Sequence, residues 1–155
     1  MKKLLLLIPF TVLFGCDVQD EHETSVAQKP DVEYLLMPGM EGLDLPFSSA
    51  VRVGNTLYLS GNIGNTPGSL DLAEGGITGE TRQTMDNISA VLKQFGSSMD
   101  EVVKCTVFLA DMSEWGAMNE VYKTYFKNPP ARSALGASGL ALNARVEIEC
   151  IAATG

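Results

Sequence analysis

Apolar and polar residues alternate in two short segments on either side of residue 55, which is the pattern of a β-hairpin. The first strand candidate is Ala50–Val53, and the second covers residues 56–61. Gly54 and Asn55 between them are typical turn residues. Residues 64–79 are rich in Gly, Asn, Pro and Thr and therefore predict a loop.

Residues 80–95 carry apolar side chains at helical spacing, which predicts an amphipathic helix. Gly96 would end this helix, because glycine readily adopts the left-handed conformation found just after helix ends. The face turned towards the core would consist of Met85, Ile88, Leu92 and Phe95.

A second helix is predicted after residue 110. Asp111, with Glu114 three residues later, is typical of a capping box. Pro129 and Pro130 would end the helix, since proline cannot continue it. Its inner face would consist of Met118, Val121, Tyr122 and Tyr125.

Further strands are predicted where β-branched and apolar residues cluster, at Val102–Leu109 and at residues 146–152. Additional strand material lies around residues 33–37 and 131–135. The interleaving of strands with two helices predicts an α+β fold with one mixed sheet and both helices on one face. The other face of the sheet would need a cover, and a homo-oligomer is the usual way to supply it.

The N-terminus has the features of a bacterial export signal. Lys2 and Lys3 precede an apolar run over residues 4–14 that is too short to span a membrane comfortably. Cys16 follows in a context that resembles the lipobox, in which the chain is cut before a cysteine that then carries lipid. The alternative is an ordinary buried helix with an incidental cysteine.

We therefore expect a signal peptide over residues 1–15, a lipidated Cys16 with an acidic tether over residues 16–32, and a folded domain over residues 33–155. The protein would be exported and held at the outer side of a cell membrane by its lipid, in the periplasm if the bacterium is Gram-negative.

The charge of the chain argues against nucleic acid as a partner. There are 11 basic and 19 acidic residues, a net charge of −8, and cleavage before Cys16 would remove two lysines and bring it to −10. Nucleic-acid binding depends on clustered Lys and Arg. The same charge disfavours direct adhesion to anionic lipid, so the membrane would be reached through the lipid anchor.

The remaining cysteines and the histidine limit the possible chemistry. Cys105 and Cys150 lie on separate predicted strands with apolar neighbours, and the favoured interpretation is two small buried hydrophobic residues. Export leaves a disulfide between them open as the alternative. The only histidine, His22, lies in the tether, so the domain contains no His-based triad and no His-metal site.

Candidate chemistry is concentrated near the C-terminus. Arg132 follows Pro130 and Ala131, and an arginine presents a planar fork that matches a carboxylate. Glu147 lies on an otherwise apolar strand, where a carboxylate is costly to bury unless it is paired or at a pocket rim. Glu149 lies two residues further on the same face and is the rival candidate. Arg82 and Arg145 are interpreted as solvated or interface charges.

Six segments in one order resemble the RidA (YjgF) family of enamine and imine deaminases, and the resemblance runs from about Pro46 to Ala152. Each segment alone is a weak signal, whereas the ordered set is specific. The segments are residues 54–61, 81–88, 103–109, 118–122, 130–133 and 146–149.

The resemblance implies a chorismate-mutase-like fold, a homotrimer with a pocket at each subunit interface, and no metal or organic cofactor. It implies hydrolysis of small reactive enamines or imines that bear a carboxylate, such as 2-aminoacrylate, to a keto acid and ammonia. Arg132 would bind the substrate carboxylate, and Glu147 would position or deprotonate the attacking water. The other pocket residues implied by the family are Ser60, Gly61, Asn119, Phe47 and Ala134.

Two residues depart from the family pattern. Phe47 stands where many members have tyrosine, and Ala134 stands where many have cysteine. A phenylalanine at position 47 is also more often part of a core than of a contact surface. The departures bear on the substrate and the rate more than on the fold. Two other functions stay open on the same trimeric scaffold: a carboxylate-binding or sensing module without turnover, and a chaperone-like holdase.

Overall fold

The computed structural model describes residues 29–155. The expected signal peptide, Cys16 and His22 lie outside the described residues, as does nearly all of the acidic tether. The expectations about export and lipidation therefore stay predictions.

Within residues 29–155, seven strands form one sheet, which is mixed as the sequence predicts. Six of them lie in the order β1-β2-β3-β7-β5-β6, and β4 pairs with β7 beside β3. Every pairing is antiparallel except that of β5 with β6. The strands are β1 (Val32–Leu35), β2 (Ala50–Val53), β3 (Thr56–Leu59), β4 (Asn62–Ile63), β5 (Val102–Leu109), β6 (Ala131–Gly136) and β7 (Val146–Ala153).

The first helix, α1 (Gly76–Gln94), begins four residues before the predicted start. Gly75 and Gly76 both have positive φ and turn the chain into the helix. These two glycines therefore belong to the helix start as well as to the predicted loop. Gly96 also has positive φ just beyond the helix end, which confirms the predicted stop. In the part of the chain that the structure describes, no helix is both long and apolar enough to cross a membrane.

The second helix, α2 (Trp115–Tyr122), is flanked by single 3₁₀ turns at Met112–Glu114 and Lys123–Tyr125. Asp111 caps the first turn, because its side chain accepts a hydrogen bond from the N–H of Ser113 at 2.8 Å. The other half of the predicted capping box is wrong, since the carboxylate of Glu114 pairs with the guanidinium of Arg145.

Arg145 is therefore not simply a solvated charge. Its backbone N–H donates to the carboxylate of Glu80 at 2.8 Å, and its Nε lies 3.7 Å from the same carboxylate. Glu80 is buried, at 5% exposure, so these contacts satisfy a carboxylate that would otherwise be costly to bury. The three residues connect α1, the start of α2 and the start of β7.

Both helices pack on one face of the sheet, as predicted. Inward residues of β3, β5 and β7 alternate with outward ones, and the inward set forms one core with α1 and α2. The opposite face has no cover within residues 29–155 and exposes large apolar side chains. Among these are Tyr58, Val103 and Leu135, at 45%, 53% and 44% exposure.

Cys105 and Cys150 form a disulfide, so the favoured interpretation of two unpaired residues is wrong. The two residues are directly opposite each other on β5 and β7, with Cα atoms 4.1 Å apart. Both are 1% exposed, which agrees with the expectation that they are buried. The bridge joins β5 and β7, the two eight-residue strands of the sheet, near their middles.

Replacing both Cys105 and Cys150 with alanine should lower the free energy of unfolding by about 2–4 kcal/mol, because the bridge closes a loop of 45 residues in the unfolded chain. Urea unfolding of the oxidised wild type and of the double variant would measure the difference. Equal midpoints would contradict a stabilising bridge.

Candidate functional site

Arg132 lies on the edge strand β6 and extends towards helix α2. It is level with Cys105 on β5, and Cys105 belongs to the core on the helix side. One N–H of its guanidinium donates to Oδ1 of Asn119 at 2.6 Å. The guanidinium carbon also lies 4.8 Å from the ring centre of Tyr122 and 5.8 Å from that of Trp115. The structure thus brings together two predicted site residues, Arg132 and Asn119.

The guanidinium of Arg132 retains donors for a ligand. It is partly buried and makes no salt bridge within residues 29–155. A guanidinium carries five N–H donors in a fixed fork, so the single bond to Asn119 leaves most of them free. Ala134 follows on the same face and packs partly buried against the core. This arrangement can bind a small carboxylate through two parallel hydrogen bonds.

Glu147 lies on β7 and points to the face away from the helices. It is paired with Ile63 of β4 and with Phe108 of β5. Its carboxylate occupies the space next to Gly61, where an added Cβ would overlap Oε1 and lie 2.9 Å from Cδ. Residue 61 must therefore be glycine for Glu147 to keep this position. The structure brings these two predicted site residues into contact.

Ser60 connects this region to an open groove. Its hydroxyl donates to the carbonyl oxygen of Ser48 at 2.6 Å, and its N–H donates to that of Ser49 at 3.1 Å. Ser60 and Phe47 both line a groove of about 540 Å³ whose other walls are mostly apolar. Phe47 is 53% exposed, so the expectation that it belongs to the core is wrong.

A single copy of the chain holds these residues as two separate groups. Strand register places Arg132 with Asn119 on the helix side, while Glu147 with Gly61 lies on the opposite side. No salt bridge joins Arg132 to Glu147 within the described residues. The rival residue, Glu149, shares the outer face with Glu147 and borders a shallow pocket beside Lys104. Within one chain, the two groups are therefore separated by the sheet.

Two neighbours of Arg132 had no functional role in the sequence interpretation. Tyr122 was assigned only to the inner face of the helix, and Trp115 was given no role. The signal that could have found them is their spacing, because Trp115, Asn119 and Tyr122 recur at i, i+4 and i+7 and so share one helix face. Tyr122 is buried in the core cluster, and its hydroxyl has no hydrogen-bond partner within residues 29–155.

Burial raises the pKa of the Tyr122 hydroxyl from 10.0 to about 12, although the charge of Arg132 acts in the opposite direction. The unfolded chain would lose this proton near pH 10, whereas the folded chain keeps it to about pH 12. Ionisation of this hydroxyl therefore leaves stability unchanged below pH 10 and lowers it as the pH rises from 10 to 12, because the unfolded chain loses the proton first.

Tyr122→Phe should therefore lose less stability than the wild type when the pH rises from 10 to 12. At pH 8 the substitution should leave stability unchanged or raise it by about 1 kcal/mol, because it removes a buried hydroxyl without a partner. Urea midpoints at pH 8 and pH 11 would test both effects. Tyr125→Phe is the comparison, because the Tyr125 hydroxyl donates to Asp86 at 2.8 Å and its loss should be destabilising at pH 8.

Metal ligation has no apparent site in the described chain. Within residues 29–155, no group of three or more His, Cys, Asp or Glu side chains converges in a way that could hold a metal ion. The chemistry available at the two groups is that of a guanidinium, a carboxylate and backbone groups.

Known proteins share both the sequence and the fold. Residues 43–154 match the family model described as Endoribonuclease L-PSP. A mouse protein named 2-iminobutanoate/2-iminopropanoate deaminase is 46% identical over 111 residues, which cover 71% of this chain and 82% of the relative.

Two solved structures illustrate the likeness of the fold. The yeast protein YEO7 has a TM-score of 0.75 at 36% identity, covering 81% of this chain and all of the yeast chain. E. coli TdcF, solved with bound serine, has a TM-score of 0.68 at 28% identity, covering 72% of this chain and 90% of TdcF. The expected chorismate-mutase-like α+β fold agrees with these neighbours.

The family match covers most of the chain and includes every residue of the two groups described above. The chain belongs to the Endoribonuclease L-PSP family, the same family as the RidA (YjgF) proteins that its sequence resembles.

Proposed function

We propose that this protein hydrolyses small reactive imines and enamines that carry a carboxylate, releasing a keto acid and ammonia. The observation that carries the proposal is the Arg132 guanidinium, which is held by Asn119 and two aromatic rings yet keeps donors free for a carboxylate. The name of the mouse relative, a 2-iminobutanoate/2-iminopropanoate deaminase, supports this class of substrate.

In this mechanism Arg132 binds the carboxylate and so fixes the adjacent C=N carbon. An enamine such as 2-aminoacrylate first takes a proton on its terminal carbon and becomes the imine. Glu147 accepts a proton from water as the water oxygen bonds to the imine carbon, and a proton returns to the nitrogen. The proton of the new hydroxyl then passes to the amino group through the Glu147 carboxylate, the C–N bond breaks, ammonia leaves and the carbonyl forms. Positioning and one placed base suffice for such an electrophilic carbon.

We also propose that the protein is a homotrimer in which the Arg132 group of one copy meets the Glu147 group of the next. Two features support this assembly. The outer face of the sheet exposes apolar side chains that a second copy would cover, and the two groups of site residues lie on opposite faces of one chain. The groove beside Ser60 and Phe47 would then become part of an enclosed pocket.

The test is an ammonia-release assay with 2-iminobutanoate generated in situ by an amino-acid oxidase. Light scattering on the same sample would give the number of chains in the particle. Accelerated ammonia release by a trimer supports the proposal. Saturable keto-acid binding without release would indicate a sensing module, and suppressed aggregation of a client protein that is independent of Arg132 would indicate a holdase.

Ribonuclease activity, which the family description suggests, is disfavoured by the charge of this chain. Nineteen acidic residues stand against 11 basic ones, and phosphate contacts depend on clustered Lys and Arg. The small-molecule reaction requires no such cluster.

We propose in addition that the protein is exported and anchored by lipid on Cys16. The basic and apolar leader supports this, and so does the disulfide, because such bridges persist mainly in oxidising compartments. Labelling cells with a fatty-acid analogue should mark the wild type and not Cys16→Ser. Equal labelling of both, or of neither, would contradict lipidation at this residue.

A further inference from the structure

The face of α2 that meets Arg132 has an organisation that a simple carboxylate site does not require. Trp115, Asn119 and Tyr122 lie on this one face, and all three contact the guanidinium. Asn119 provides the hydrogen bond, while the other two provide ring faces. An arginine on an edge strand would otherwise be free to adopt many rotamers, each of which presents its N–H groups differently.

The distances lie within the range for attraction between a cation and an aromatic ring. The guanidinium carbon is 4.8 Å from the centre of the Tyr122 ring and 5.8 Å from that of Trp115, and such contacts act to about 6 Å. They leave the N–H groups unused, because the ring interacts with the cation as a whole. The rings can therefore order Arg132 without competing for the donors that a carboxylate needs.

The position of α2 itself is also fixed. Glu114, directly before Trp115, pairs with Arg145, and Arg145 in turn contacts the buried carboxylate of Glu80. This arrangement holds the beginning of α2 against the rest of the domain. The helix that carries the rings of Trp115 and Tyr122 is therefore held in place next to Arg132.

We infer that Trp115 and Tyr122 are positioning residues that hold the guanidinium of Arg132 ready for the substrate carboxylate. The inference rests on the proposed function, in which Arg132 binds that carboxylate. The two rings should increase the affinity for substrate, since ordering the guanidinium before binding removes part of the entropy cost of binding. The chemical step at the imine carbon would be affected less.

Packing is the competing explanation, and the two rings differ in how well they exclude it. Tyr122 is 5% exposed and also packs against Phe126 at 4.9 Å between ring centres, so a change there affects the core. Trp115 is 42% exposed, so its replacement should leave the core intact. If replacing either ring weakens carboxylate binding, the contact with Arg132 is the common cause, because only the change at Tyr122 also disturbs the core.

The experiment compares two pairs of variants, Trp115→Leu with Trp115→Phe and Tyr122→Leu with Tyr122→Phe. Leucine removes the ring and phenylalanine retains one. The readouts are kcat and KM for 2-iminobutanoate, the Kd of butanoate by calorimetry, and the melting temperature. Butanoate carries the carboxylate without a reactive group.

We expect the leucine variants to raise KM and the butanoate Kd by about 3- to 30-fold, with kcat changed by less than about threefold. The phenylalanine variants should recover most of the affinity. Because Trp115 is the only tryptophan in the chain, butanoate should also change the intrinsic fluorescence of the wild type and not that of Arg132→Ala.

An unchanged butanoate Kd in Trp115→Leu, or equal losses in the leucine and phenylalanine variants, would overturn the inference. A different result would contradict the proposed function alone. In that case the wild-type protein would bind butanoate, with the same differences among the variants, but would release no ammonia from the imine. That result would retain the role of the rings in carboxylate binding.

Discussion

Arg132→Ala should reduce kcat/KM for 2-iminobutanoate by at least about 10²-fold while leaving the domain folded. Two hydrogen bonds between charged groups would be lost, each contributing about 1.5–3 kcal/mol. Arg132 is partly buried and makes no salt bridge within residues 29–155, so stability should change little. Ammonia-release kinetics together with thermal unfolding would measure both effects.

Arg132→Lys should be intermediate, because lysine keeps the charge and loses the planar fork. The matched control is Arg82→Ala, an exposed arginine on α1 whose replacement should leave the kinetics close to those of the wild type. Full activity in Arg132→Ala would exclude this residue as the one that binds the carboxylate. An equal loss in Arg82→Ala would mean that general charge matters more than this contact.

Glu147→Gln should lower kcat by about 10²–10⁴-fold with little change in the binding of butanoate, because the amide cannot accept the proton of the attacking water. Glutamine has nearly the same shape, so the fold should be retained. Glu149→Gln is the control, since Glu149 lies two residues further on the same strand face. A larger loss of kcat in Glu149→Gln would transfer the role to the rival residue.

Gly61→Ala tests the position of the Glu147 carboxylate, because it leaves the carboxylate itself chemically unchanged. The added methyl group would occupy the place of Oε1 of Glu147, and the carboxylate would have to move. Glu147 is the flexible partner, so the fold should survive while kcat falls. Gly64→Ala provides the contrast, because a Cβ there would lie 2.6 Å from the backbone oxygen of Glu80 and should destabilise the domain.

The secondary structure was predictable where a single periodicity dominates. The hairpin at residue 55 and strand β5 follow directly from alternation and β-branched composition. The start of α1 was not predictable in this way, because its first turns contain glycines that usually indicate a loop. Gly79 has a structural reason: a side chain there would overlap the backbone oxygen of Glu74. Gly79 thus serves close packing and Gly76 provides a positive φ, and periodicity reports neither.

The candidate site was predictable as residue types and much less so as geometry. Arg132 and Glu147 were identified by their residue types and given roles through the family resemblance, but their separation onto opposite sides of the sheet follows from strand register. Pairing of Cys105 with Cys150 has the same origin, because only register places them opposite each other. Trp115 was missed because its helical spacing with Asn119 and Tyr122 becomes informative only once Arg132 is known to lie against that helix face. All three are long-range consequences of the fold.

The covalent link between Cys105 and Cys150 also affects how preparations of this protein should be compared. Material made in a reducing cytosol and material recovered from an oxidising environment are chemically distinct molecules that share one sequence. Thiol titration under denaturing conditions would show which of them a sample contains. Specific activities from different expression hosts are comparable only when that measurement accompanies them.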